Sequence, residues 1–180
     1  MGHAEISLRS VGGSRSPSFK RIALWAGLGA AALALVAARD FSQNHLLLLN
    51  ASPSLPNWAF WVERHKRPMH GDYVFFDPPR STLLIRHFGE KPRLFGKQVM
   101  AMPGDIVSRQ GKSVLVNGKI VATIKPLTRR GEPLVAGPIG SVPKGCYFVA
   151  TNHKDGFDSR YAAIGWVCNP QIVGVGRPIL

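Results

Sequence analysis

Hydrophobic and polar positions divide the chain into one long apolar run and a series of short ones. From Ile22 to Ala38 there is no charge over seventeen residues, IALWAGLGAAALALVAA, with Lys20-Arg21 before the run and Arg39-Asp40 after it. That length just suffices to cross a bilayer, and a soluble core helix is seldom apolar on every face, so the run predicts a transmembrane helix. The later runs are strand-sized. Leu46 to Leu49 reads as a buried strand or a lipid-surface segment, and Trp58 to Val62 as an aromatic cluster that packs or dips into the interface. His70-Gly71-Asp72 feeds a buried strand, Tyr73 to Phe76, which Pro78-Pro79 ends. Between Ile106 and Thr123 strand and turn alternate, and Asn117-Gly118 between β-branched runs predicts a two-residue hairpin turn. Residues 125–145, rich in Gly and Pro, predict a crossing loop, and Cys146 to Ala150 a further strand. The fold class is therefore mostly β, with few helices beyond the N-terminal one.

Charge orients the apolar run. Arg9, Arg15, Lys20 and Arg21 precede it, whereas Asp40 dilutes Arg39 behind it, which puts the N-terminus in the cytoplasm and the rest across the membrane. Val36-Ala37-Ala38 would suit a cleavage site, but the run exceeds a usual signal-peptide core and is read as an uncleaved anchor. The expected organisation is a cytoplasmic tail over 1–21, an anchor over 22–38 and a domain across the membrane over 39–180. Formal net charge is +13 over 180 residues, yet the basic residues are scattered, with no basic helix or nucleic-acid motif, so no nucleic-acid partner is expected. Six histidines at 3, 45, 65, 70, 87 and 153 show no zinc-type pairing and no Gly-rich phosphate loop occurs, so no metal and no cofactor is expected. Cys146 and Cys168 exclude a disulfide framework, and their spacing leaves pairing open.

Three stretches carry candidate chemistry. Lys97 heads Gln98-Val99-Met100-Ala101-Met102 and the turn Pro103-Gly104-Asp105, a setting that draws an ammonium out of water and lowers its pKa towards that of a usable base. Ser54 lies between Pro53 and Pro56 on a stretch whose prolines forbid regular structure, where hydroxyl and backbone N–H can be offered to one point. Thr151 to Tyr161 holds Asp155, Asp158 and Arg160, enough to build a bridged corner.

Taken in order, Gly71-Asp72, Lys97 with QVMAMPGD, the hairpin VNGK, Val142-Pro143-Lys144-Gly145 before Cys146-Tyr147-Phe148-Val149, and Asp158-Ser159-Arg160-Tyr161 resemble the boxes of the type I signal peptidase superfamily. Ser52-Pro53-Ser54-Leu55-Pro56 is similar to its serine box, with proline one place early. The short length, single anchor and Ser-x-Pro arrangement look most like the TraF-type branch, which matures pilin for conjugative plasmid transfer. The resemblance implies a β-rich catalytic domain, Ser54 as nucleophile, Lys97 as general base, Ser52 as oxyanion donor, and Asp158 with Arg160 as a supporting ion pair. Leu55 stands in place of the usual methionine, and Gly156 where many members have a serine that orients the lysine, which leaves Asp155 as the candidate to hold Lys97.

The function this implies is a metal-free, cofactor-free serine endopeptidase on the bacterial inner membrane, catalytic domain in the periplasm, acting on a membrane-inserted pilin precursor with hydrolysis or cyclisation of the product. Two alternatives differ in what they predict. A housekeeping signal peptidase would complement leader-peptidase depletion, and a noncatalytic periplasmic assembly protein would tolerate Ser54→Ala.

Overall fold

The structure, a computed structural model, describes residues 19–50 and 54–180. It contains two compact units, one ending at Phe41 and one spanning Ser42–Leu180. The N-terminal unit is built on helix α1, Phe19–Asn44, whose side chains are all unburied. Among the described residues it is the one helix long and apolar enough to cross a membrane, by length and composition, with a mean hydropathy of 1.8 over its best window. At about 1.5 Å per residue it reaches some 39 Å. It overruns the expected 22–38 at both ends because no Gly or Pro interrupts Phe19 to Arg21 or Arg39 to Asn44.

The larger unit is almost entirely antiparallel sheet. Its elements in chain order are β1 (His45–Leu49), β2 (Ala59–Arg64), β3 (Tyr73–Phe76), α2 (Thr82–Phe88), β4 (Phe95–Ala101), β5 (Ile106–Gln110), β6 (Ser113–Val116), β7 (Lys119–Thr123), β8 (Gly140–Ser141), β9 (Cys146–Ala150), β10 (Val167–Cys168) and β11 (Ile172–Pro178). One sheet has seven strands in the order β1-β2-β11-β3-β4-β9-β10, the other four in the order β7-β6-β5-β8. The last strand thus inserts between β2 and β3, two of the first strands of this unit.

The leucine run forms edge strand β1 and splits by the two-residue period of a strand. Leu46 and Leu48 pack on a cluster of Leu55, Phe60, Val62 and Phe75, whereas Leu47 and Leu49 are exposed. In β2 the same alternation buries Phe60 and Val62 fully and leaves Trp61 and Glu63 only partly covered. The Asn-Gly hairpin forms as expected, with Asn117 at φ 48° and Gly118 at φ 82°, the left-handed values its tight turn requires. Pro103-Gly104-Asp105 is a turn whose carboxylate accepts from Met102 N (2.7 Å) and from Asn117 Nδ2 (2.8 Å), tying it to that hairpin. These hydrogen bonds hold the Asp105 pKa below its usual value. Helix α2 was not apparent in the sequence. Ser81 caps it by accepting from Leu84 N, and Gly89 ends it with its N–H donated to Ile85 O.

Strand β9 is buried along its whole length because it serves two cores. Tyr147 and Val149 face a cluster with Val74, Phe76 and Val99, while Phe148 and Ala150 face one with Ala101, Val107 and Val116. A register shift at Met100 sends Val99 to the first cluster and Ala101 to the second. Cys146 and Cys168, directly opposed in the β9–β10 ladder with Cα atoms 3.9 Å apart, are joined as a disulfide. Register brings them together, which sequence spacing could not reveal.

Candidate active site

The site starts with Lys97, third residue of β4, between β3 and β9 near the centre of the large sheet. Neighbouring Gly96 lets two side chains close over this point: a Cβ there would stand 2.8 Å from the Phe75 ring and 3.0 Å from Leu55 Cδ1. Lys97 is only 6% exposed. Burial lowers its pKa from the ordinary lysine value; the Asp158 carboxylate opposes that shift and the Arg160 guanidinium adds to it. The Phe95 ring lies 5.9 Å from Nζ.

The two charges that act on Lys97 belong to a corner formed by Asp158, Ser159 and Arg160. Arg160 Nε donates to Asp158 Oδ1 at 2.8 Å and a second guanidinium nitrogen to Oδ2 at 2.9 Å, with both side chains essentially inaccessible. The remaining capacity is used: Thr151 N and Arg160 N donate to the carboxylate, and the guanidinium donates to Thr123 O and Thr151 O. Ser159 ties the corner to β9 by exchanging bonds with Val149. A buried pair survives only with such saturation, so the corner is a rigid floor.

Ser54 is half-buried in a turn, while Ser52, the expected oxyanion residue, lies outside the described residues. Two contacts hold the Ser54 turn. Leu55 sinks into the apolar cluster around Phe60 and Phe75, and the Asn50 side chain donates to Leu55 O (3.2 Å) and Asn57 O (3.0 Å). Asn50 escaped the sequence reading; an amide just ahead of a proline-broken turn was its signal.

Ser54 and Lys97 line the same cleft, ≈ 1140 Å³ in volume and predominantly apolar. That exceeds the roughly 300–1,000 Å³ of a small-ligand pocket and suits an extended chain. One wall comes from the crossing loop, pinned at two places. Glu132 receives His87 and, at 3.4 Å, Arg86 from α2, and these partners, His87 foremost, hold its pKa down. At the second place, Asp155 accepts from Lys125 and from Arg129 (2.6 Å).

That last pairing corrects an expectation. Asp155 does not hold Lys97, because its carboxylate is taken by two cations of the loop, which keep its pKa far below the usual carboxylate range. The structure also explains Gly156: a Cβ there would meet Thr151 Oγ1 at 2.6 Å and Asp158 Oδ2 at 2.8 Å, so no side chain fits. Lys125, Arg129, Glu132 and His87 were not singled out in the sequence, since their partners are 26 to 46 residues distant. No group of three or more His, Cys, Asp or Glu among the described residues could hold a metal ion.

Comparison with known proteins bears on this arrangement. The family described as signal peptidase, peptidase S26, matches residues 19–180. No curated protein matches the chain. Among solved structures, a signal peptidase I from Enterococcus faecalis V583 is 21% identical, with the match covering 61% of this chain and 97% of that one at a TM-score of 0.38. The apolar helix and the family together point to a membrane-anchored protein that acts on membrane-associated precursor peptides. With the family spanning nearly the whole chain, this protein belongs to the S26 signal peptidases and is a serine peptidase of that type.

Proposed function

We propose that the chain is a single-pass membrane endopeptidase that works through Ser54 and Lys97, with residues 1–21 cytoplasmic, 22–38 the anchor and 39–180 a periplasmic catalytic domain. The observation that carries this reading is a buried lysine of lowered pKa in the cleft that also holds the serine. Neutral Lys97 takes the Ser54 proton as Oγ attacks the scissile carbonyl, then gives it to the leaving amine. The Ser54 N–H and the Ser52 hydroxyl stabilise the oxyanion, each worth a factor of about 10² to 10³. Water, or an amine of the substrate itself, then releases the acyl-enzyme, giving a shortened or a cyclic product.

The substrate we infer is a membrane-inserted pilin precursor of a conjugative transfer system, with small side chains before the scissile bond. Support comes from the resemblance in the Ser-x-Pro box, the single anchor and the short span between the lysine and Asp-Ser-Arg boxes. The test is intact-mass analysis of the candidate pilin in cells carrying wild type, Ser54→Ala or Lys97→Ala. Processing by wild type alone supports the dyad, and a further loss of one water from the trimmed product shows cyclisation. Equal processing in all three overturns the peptidase assignment of these residues.

A further inference from the structure

The β4–β9 ladder pairs Gln98 with Ala150 and Val99 with Val149. One step further along the same register sets Lys97 opposite Thr151, and opposed residues of an antiparallel pair present their side chains to one face with Cβ atoms about 4.5–5.5 Å apart. Both are buried, Lys97 at 6% and Thr151 at 3% exposure. The Thr151 backbone is fixed on the ion pair: its N–H donates to Asp158 Oδ2 (3.2 Å) and its carbonyl accepts from Arg160. Its hydroxyl, by contrast, has no hydrogen-bond partner, the one such buried side-chain atom among the described residues. Buried hydroxyls are nearly always bonded, so an idle one beside a base calls for a use.

We infer that Thr151 is a positioning residue for the base: its hydroxyl oxygen accepts a hydrogen bond from the Lys97 ammonium formed when Lys97 takes the Ser54 proton. To act as the base, Lys97 must be in its neutral form, with its lone pair turned to Ser54. Once protonated it carries three N–H donors, and Thr151 Oγ1 supplies an acceptor at the moment one is required. No atom is transferred to Thr151; the proton stays on Nζ until the leaving amine takes it. Asp158 and Arg160 act on Lys97 with opposite sign, and Lys125, Arg129, His153 and Asp155 line the cleft around it. Asp155 is committed to Lys125 and Arg129, and both oxygens of Asp158 to Arg160, which leaves the Thr151 hydroxyl as a buried acceptor without a partner.

This inference rests on the Ser54–Lys97 reading, and the test separates the two. The full chain in detergent micelles is assayed on a fluorogenic leader peptide with Ala-x-Ala before the scissile bond, as wild type, Thr151→Val, Thr151→Ser and Lys97→Ala. In parallel Lys97 is titrated by NMR of ε-13C-lysine. Thr151→Val keeps the shape and removes the acceptor; kcat/KM is expected to fall about ten- to a hundredfold, the worth of a hydrogen bond to a charged group. Loss of an acceptor disfavours the ammonium, so the Lys97 titration moves to lower pH, whereas Thr151→Ser restores both rate and titration. A Thr151→Val enzyme equal to wild type in both, or a Thr151→Ser enzyme as impaired as Thr151→Val, overturns the inference even where Lys97→Ala is inactive. An active Lys97→Ala enzyme removes the base assignment, and this inference with it.

Discussion

Arg160 meets Asp158 through two parallel bonds of 2.8 and 2.9 Å, and the two charges push the Lys97 pKa in opposite directions. Burial is the largest influence on Lys97, with the carboxylate opposing it and the guanidinium adding to it. Removing one of them breaks that balance. Arg160→Ala leaves Asp158 unpaired in the interior, which costs about 3–5 kcal/mol. It also leaves Lys97 facing a bare carboxylate, so the acid limb of the pH–rate profile moves to higher pH. Thermal unfolding and the pH dependence of kcat/KM check the two effects, and an unchanged midpoint would show that the pair is not part of the stability of the fold.

Lys97 itself is expected to trade stability for activity. Its folded-state pKa lies below the ordinary 10.5, so the unfolded chain binds more protons and the lysine destabilises the fold at neutral pH. The penalty is full below the folded-state pKa and fades as pH rises towards 10.5. Lys97→Met therefore abolishes turnover while stabilising the protein at pH 7, by about 1–4 kcal/mol as for other buried charges replaced by apolar groups. Chemical denaturation at pH 7 and pH 10 measures the gain, which must shrink at the higher pH.

Asp155 is expected to act on substrate binding rather than on the base. Asp155→Asn releases Lys125 and Arg129 and loosens the wall they hold, raising KM several-fold with kcat nearly unchanged. An equal fall in kcat at constant KM would instead return Asp155 to the chemistry.

The disulfide between Cys146 and Cys168 closes a separation of 22 residues and stitches β10 to the strand shared by both cores. Intact mass of the oxidised protein is expected to be lower than that of the reduced protein by two hydrogens. Reduction, or Cys168→Ala, should lower stability by about 3 kcal/mol. Equal unfolding midpoints with and without reductant would contradict this.

Much of the site could be read from local pattern. The prolines around Ser54, the apolar run headed by Lys97, and the Asp-Ser-Arg corner all express preferences that act within a few residues. Helix α2 was missed because its seven residues, with one buried leucine, are too short for a helical period to stand out. The partners of Asp155 were missed because charge attraction has no sequence period, and Asp155 lies among cations on every side.

By itself, then, the sequence determined the apolar helix, the Asn117-Gly118 hairpin and the β-rich class, since backbone sterics and side-chain periodicity operate over neighbouring residues. Tertiary structure alone decided that β11 enters between β2 and β3, that Cys146 faces Cys168, and that Lys125 and Arg129 claim Asp155. Each of those depends on which strands become neighbours and in what register, and long-range packing of the two cores settles both.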